Sequence, residues 1–63
     1  MKPHQERVVE ERRKLDEDRK KLEEFLHGPE PAEIDPAERE RLHRQELIMQ
    51  LFSQVLFERI NAF

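Results

Sequence analysis

The chain has 63 residues, no cysteine and three scattered histidines, so it holds one domain at most and has neither a disulfide nor a zinc constellation to staple it. A lone core of this size supplies only ~3–5 kcal/mol, which leaves association between chains as the means of stabilisation, with no metal or cofactor expected. The net charge of −3 comes wholly from Glu30, Glu33 and Asp35, because residues 1–27 carry eight basic and eight acidic side chains and residues 38–63 carry four of each; no basic face for duplex nucleic acid results.

Met1 to Gln5 lead directly into charged sequence, without the apolar run of a secretory signal, so the protein is expected to stay in the compartment where it is made. The absence of cysteine fits a reducing cytoplasm. From about Pro3 to Leu26 nothing breaks a helix, and Glu10 to Lys14, Asp16 to Lys20 and Glu17 to Lys21 are acid-before-base pairs four residues apart. Val8, Leu15 and Leu22 recur at sevens, with Val9, Phe25 and Leu26 beside them, which predicts one narrow apolar stripe on a charged rod.

Residues 27–35 read as a Gly/Pro linker. Gly28 can take the left-handed conformation after the last turn, and Pro29 and Pro31 cannot continue the helical ladder. At its end, Asp35-Pro36-Ala37-Glu38 is the clearest helix start in the chain, with Asp35 as N-cap, Pro36 in the first helical position and Glu38 closing a capping box.

The second helix is expected over about 36–62. Leu42, Met49, Leu56 and Phe63 recur at sevens, and Ile48, Phe52, Val55 and Ile60 join them as a broad face suited to the first helix. Leu47 and Leu51 lie well away from the centre of that face and Phe57 on its other flank, so apolar surface covers most of the circumference. The stretch Leu47 to Phe57 is too short to cross roughly 30 Å of bilayer hydrocarbon.

The predicted architecture is therefore all-α: an antiparallel two-helix hairpin, residues 1–63 forming one domain, assembling into a homo-oligomeric helical bundle. A helix apolar nearly all round needs burial nearly all round, and the first helix offers one stripe to cover it. Leu47, Ile48, Leu51, Phe52, Val55, Phe57 and Phe63 are the expected oligomer interface. Leaving Leu47, Leu51 and Phe57 in water would forgo roughly 1.5–3 kcal/mol each. A long parallel coiled coil ranks second, because Gly28, Pro29, Pro31 and the cap at Asp35 interrupt the register; a monomeric hairpin with an untidy surface ranks behind both.

No catalytic constellation is present: there is no Gly-rich phosphate loop and no His-Glu-x-x-His, and the single serine, Ser53, lies in the apolar segment. The chain is expected not to be an enzyme. In the run Glu38 to Gln45, Arg41 and Arg44 share one side of a helix near its positively polarised N-terminal turns, a place that suits an anion. Arg offers a planar fork for phosphate oxygens, and His43 and Gln45 can read polar base edges. Symmetry can turn such arginines into a cationic ring, with Arg7, Arg12 and Arg13 contributed by a neighbouring chain. The plainer reading of the run is an exposed charge cluster.

Pro3-His4-Gln5-x-Arg7-Val8 and Leu15-Asp16, followed by Gln45, Met49, Phe52, Val55-Leu56 and Arg59-Ile60, resemble the short helical-hairpin proteins of bacteriophages. That group is similar to the hairpin domain of phage anti-CBASS and Thoeris anti-defence sponges, and the resemblance spans nearly the whole chain. It implies a hexamer that sequesters a nucleotide second messenger in the cytoplasm of an infected bacterium and so silences immune signalling. It carries a ligand-binding role onto Arg41; His43 and Arg44 are added as its neighbours in sequence, and Arg7 as a candidate contact from a neighbouring chain. The sponges' cyclic-dinucleotide pocket uses a Tyr before the first helix and a Lys within it; this chain has no Tyr and places Val9 at the Lys position, so that pocket is expected to be absent or rebuilt. The alternatives this leaves are a different messenger, such as a cyclic trinucleotide or an ADP-ribose derivative, or none. An oligomeric module binding a host or phage protein helix is the alternative function, and a DNA-binding architectural factor is a weaker third.

Overall fold

Proline opens each of the two helices, where its missing N–H costs nothing and its fixed φ already suits the first turn. The computed structural model describes residues 1–29 and 33–63, with α1 spanning Pro3–Leu26 and α2 spanning Pro36–Asn61. Both helices start and end within a residue of the positions expected from sequence.

The caps differ from expectation in detail. At the start of α1 the Lys2 backbone N–H donates to the Gln5 side-chain oxygen at 2.9 Å. At the start of α2, Asp35 is the N-cap and its backbone carbonyl accepts from Arg39 at 2.9 Å, but its carboxylate makes no capping bond. Glu38 does not close a capping box either, because its carboxylate is held by Arg41 Nε at 2.8 Å on the outer surface. At the end of α1, His27 takes a right-handed helical conformation and donates to the Glu23 carbonyl at 3.1 Å, and Gly28 has no positive φ. The helix tightens to its end, and the left-handed turn expected at Gly28 does not form. Glu30 and Pro31, read from sequence as part of the linker, lie outside the described residues.

The hairpin is antiparallel and rod-shaped, 45 Å long and 13–14 Å across. Arg12 meets Ser53 and Arg19 meets Glu46, so seven residues forward along α1 correspond to seven back along α2. The helices touch along alternating steps of three and four. On α1 the positions turned inward are Gln5, Val8, Arg12, Leu15, Arg19, Leu22 and Leu26; on α2 they are Arg39, Leu42, Glu46, Met49, Ser53, Leu56 and Ile60. This three-and-four spacing on both helices is that of an antiparallel coiled-coil seam.

Burial along the seam is uneven. Leu56 is fully buried and Val8 is 7% exposed, while Leu15, Leu22, Leu42, Met49 and Ile60 are half-buried. The stripe of Val8, Leu15 and Leu22 thus faces α2 as the sequence implies. The face assigned to α2 needs correcting: Leu42, Met49, Leu56 and Ile60 do face α1, but Ile48, Phe52 and Val55 do not, being 64%, 43% and 48% exposed. At about 100° per residue their mean direction lies more than a quarter turn from the Leu42–Leu56 line, beyond the reach of a single neighbouring helix. Phe63, also grouped with that line, is exposed at the chain end.

Among the described residues no helix is long and apolar enough to cross a membrane.

Leu56 is fully buried in the seam, so Leu56→Ala should lower stability by about 2–5 kcal/mol, the range for truncating a buried leucine. Urea unfolding followed by circular dichroism measures it; a loss no larger than that of Leu47→Ala at a concentration where the chain is monomeric would show the seam is misplaced.

Candidate functional site

Midway along the seam the apolar contact gives way to a polar layer. Ser53, 2% exposed, donates its hydroxyl hydrogen to Asp16 Oδ1 at 2.5 Å and accepts from Arg12 Nε at 3.4 Å. Asp16 also lies 3.6 Å from Arg12 and 3.7 Å from Arg19, and Arg19 reaches Glu46 at 3.9 Å. Charged groups cost least at a helix seam when paired, and Arg12, Asp16, Arg19 and Glu46 are; among the described residues no buried side-chain polar atom lacks a partner. The Arg12 guanidinium also lies over the Phe57 ring, 4.7 Å from its centroid. Phe57, expected at an oligomer contact, is partly occupied by this cation–π contact within its own chain.

Sequence inspection passes over this layer because Arg12, Arg19, Glu46 and Ser53 carry no motif. Their signal is positional: Arg12 and Arg19 fill the gaps between Val8, Leu15 and Leu22, and Glu46 and Ser53 fill those between Leu42, Met49 and Leu56. Matching polar positions on two heptad patterns are what a register-fixing layer looks like.

The outer surface of α1 is charged and self-paired. Arg13 sits between Glu10, at 2.7 and 2.9 Å, and Glu17, at 3.0 Å, while Lys21 lies 3.6 Å from Glu17. The expected Glu17–Lys21 pair forms; Glu10 and Asp16 turn instead to arginines. The hydrogen bonds from Arg13 hold the Glu10 carboxyl below its ordinary value of 4.5 and push the Arg13 guanidinium up. Arg13 is thereby committed to carboxylates of its own helix.

The four residues expected to hold a ligand are all exposed but are not gathered in one chain. Arg41 and Arg44 are neighbours, about 60° apart around α2, and Arg41 is paired with Glu38. His43 points about 160° around the axis from Arg41, by the same rotation per residue. Arg7 lies at the other end of the rod, about 25 Å from Arg41 when the intervening rise is counted. Arg44 has no carboxylate within 4.0 Å among the described residues. Two shallow grooves mark the hairpin: one of about 290 Å³ lined by Lys20, Glu23, Glu24 and His27, the other of about 280 Å³ lined by Val9, Arg12, Arg13, Asp16 and Ile60. Neither includes any of those four residues.

The back of α2 is the largest feature of the surface. Leu47, Ile48, Leu51, Phe52 and Val55 are all between 43% and 64% exposed. At about 100° per residue they fill an arc of roughly 140° facing away from α1. Scattered exposed leucines are ordinary, but five large apolar side chains on three consecutive turns form a contiguous patch.

Fold and surface together define a class: a charged helical hairpin whose second helix is apolar on both its inner and its outer side. The family model described as Sequestin matches residues 2–62, and the chain belongs to the Sequestin family. No curated protein and no solved structure matches the chain.

Two outcomes follow from the charged groups. Removing the hydroxyl with Ser53→Ala takes one hydrogen-bond partner from Asp16 and Arg12, which keep each other and some water, and should cost about 0.5–1.5 kcal/mol, read by denaturant unfolding; an unchanged midpoint would show that the layer is solvent-satisfied. For Glu10 the folded carboxyl value is depressed, so its contribution is present above the ordinary value of 4.5 and fades as pH falls through the depressed one. The helicity difference between the unsubstituted chain and Glu10→Gln should therefore exist at neutral pH and close in acid, being screened by salt throughout because the pair is on the surface; a difference that grows in acid would reverse this assignment.

Proposed function

We propose that the chain is a bacteriophage anti-defence sponge, a homo-oligomer that binds a nucleotide immune messenger between its subunits and withholds it without cleaving it. The observation that carries this reading is the outward apolar face of α2. A patch of this size on so small a chain calls for a covering molecule, and further copies of the chain are always available at the same concentration. The family name refers to sequestration, which agrees with a protein that works by holding rather than converting. The resemblance to anti-CBASS and Thoeris sponges supplies the rest: a hexamer, a messenger of the cyclic oligonucleotide or cyclic ADP-ribose type, and the cytoplasm of the infected host as the place of action.

Arg41 is the residue assigned to the messenger, with Arg44, His43 and Arg7 as further contacts. Because these four do not meet within one hairpin, a site using more than Arg41 and Arg44 draws on more than one copy. A phosphate brought to Arg41 competes with Glu38, an exposed partner whose ion pair is worth little in water, so the guanidinium is available at small cost. A bidentate Arg–phosphate contact is stronger than that surface pair. No cofactor and no metal enters this mechanism, and no residue is given a catalytic role.

A protein-interaction module is the second reading, favoured by the same exposed face, since five apolar residues spaced along α2 match what a helix offers to a partner's groove.

Calorimetry with a panel of cyclic di- and trinucleotides and cyclic ADP-ribose isomers tests the proposal. Binding is expected for at least one, weakened tenfold or more by Arg41→Ala, with the ligand recovered intact after heat denaturation of the complex. Converted ligand would make the protein an enzyme, and silence across the panel would remove the sponge reading. Light scattering separates the alternative: a chain that is monomeric until a partner protein is added is an interaction module.

A further inference from the structure

The apolar back of α2 is bordered by two ladders of residues at sevens. Along one edge stand Arg44, Leu51 and Glu58; along the other, Gln45, Phe52 and Arg59. Each ladder spans only about 40° of the helix circumference, at about 100° per residue, and Leu47 lies outside the first of them. Between them lie Ile48 and Val55, equally distant from the midpoint of Leu51 and Phe52. The face is thus arranged around its own centre, with an arginine and a glutamate at opposite ends of one edge. All six ladder residues are exposed, and Arg44, Glu58 and Arg59 have no ion pair within 4.0 Å among the described residues.

We propose that α2 pairs with α2 of a second copy, antiparallel, about a two-fold axis passing between Leu51 and Phe52. A two-fold axis perpendicular to both helices keeps each edge against the same edge of the other copy while reversing its direction. Arg44 then meets Glu58 of the second copy, and Gln45 meets its Arg59, at both ends of the contact. Leu51 packs on Leu51, Phe52 on Phe52, and Ile48 on Val55. This is the self-matching surface that an isologous contact requires, in which residue i touches j and j touches i. A parallel pairing would exchange the edges, setting Arg44 on Gln45 and Glu58 on Arg59 of the second copy, and would align the two helix dipoles that the antiparallel pairing opposes. The two copies of α1 remain outside, with their self-paired charges in water. The antiparallel pairing also brings Arg59 of the second copy within a turn of Arg41, so that the cation of one chain is joined by a cation of the other.

This pairing rests on the chain associating with itself, as proposed above, and is independent of which ligand it holds. The chain has no cysteine, so single substitutions report on geometry without background. Leu51→Cys should form a covalent dimer on mild oxidation. Arg44→Cys and Glu58→Cys should each fail alone, because each is about 21 Å along the axis from its own counterpart, yet their equimolar mixture should cross-link. As a second measurement on the full chain, Arg44→Glu and Glu58→Arg should each weaken self-association at least tenfold in low salt, and the chain carrying both should regain it. Self-cross-linking of all three cysteine variants, or an oligomer in which Leu51→Cys does not cross-link, overturns the antiparallel pairing while leaving self-association intact. A single-chain mass for the unsubstituted protein in sedimentation at micromolar concentration overturns both.

Discussion

A helix can bury only the arc that a neighbour reaches, and α1 reaches α2 along seven positions, of which Leu56 is the most deeply buried. Everything on the far side of α2 is beyond it. The first helix is nearly all charge outside its narrow stripe, and that charge is spent on itself through Glu10, Arg13, Glu17 and Lys21. It cannot wrap further round its partner without burying carboxylates and guanidinium groups, which is far more costly than leaving a leucine wet. The width of the stripe on α1 therefore determines how much of α2 is left open, and the open part is where Leu47, Ile48, Leu51, Phe52 and Val55 stand.

The polar layer works within the same constraint. Apolar heptad contacts alone are tolerant of sliding, since one leucine is much like another to the residue facing it. Arg12, Asp16 and Ser53 remove that tolerance. Slipping the helices by one heptad would set Arg12 against Ile60 in one direction and Arg19 against Arg39 in the other, so either shift leaves a charge uncompensated. The register is consequently fixed by the layer, and with it the relative height of the two helix ends.

Much of this was legible in the residues. Pro3 and Pro36 marked the helix starts through a property that holds in any context, a fixed φ and a missing donor, and the stripe of Val8, Leu15 and Leu22 was narrow enough to leave a single choice of inner face. The second helix was harder because its apolar residues surround it. Ile48, Phe52 and Val55 outweigh Glu46 and Ser53 on any scale of hydrophobicity, so the strongest-looking face is partly the outer one. What decides the inner face is complementarity, since Glu46 and Ser53 have Arg19 and Arg12 waiting at the matching heights. Gly28 and the carboxylate of Asp35 failed for a local reason: each is merely permitted its motif by sequence, and Glu38 had a better partner in Arg41. The residues named for a ligand were identified by chemical type, by place near the start of α2 and by resemblance, and a single hairpin does not collect all four, because their spacing on α2 turns His43 away from Arg41 and the rod's length separates Arg7 from both.

The division of labour between the helices has a consequence for how such a sequence can drift. On α1, most outward positions need only be helix-forming and charged, so exchanges among Glu, Asp, Lys and Arg leave the hairpin undisturbed. On α2, eleven of the nineteen residues from Leu42 to Ile60 belong either to the inner seam or to the outer patch. Variation should accumulate on the first helix while the second stays nearly still, so two distant descendants of one ancestor would be recognised by their second halves.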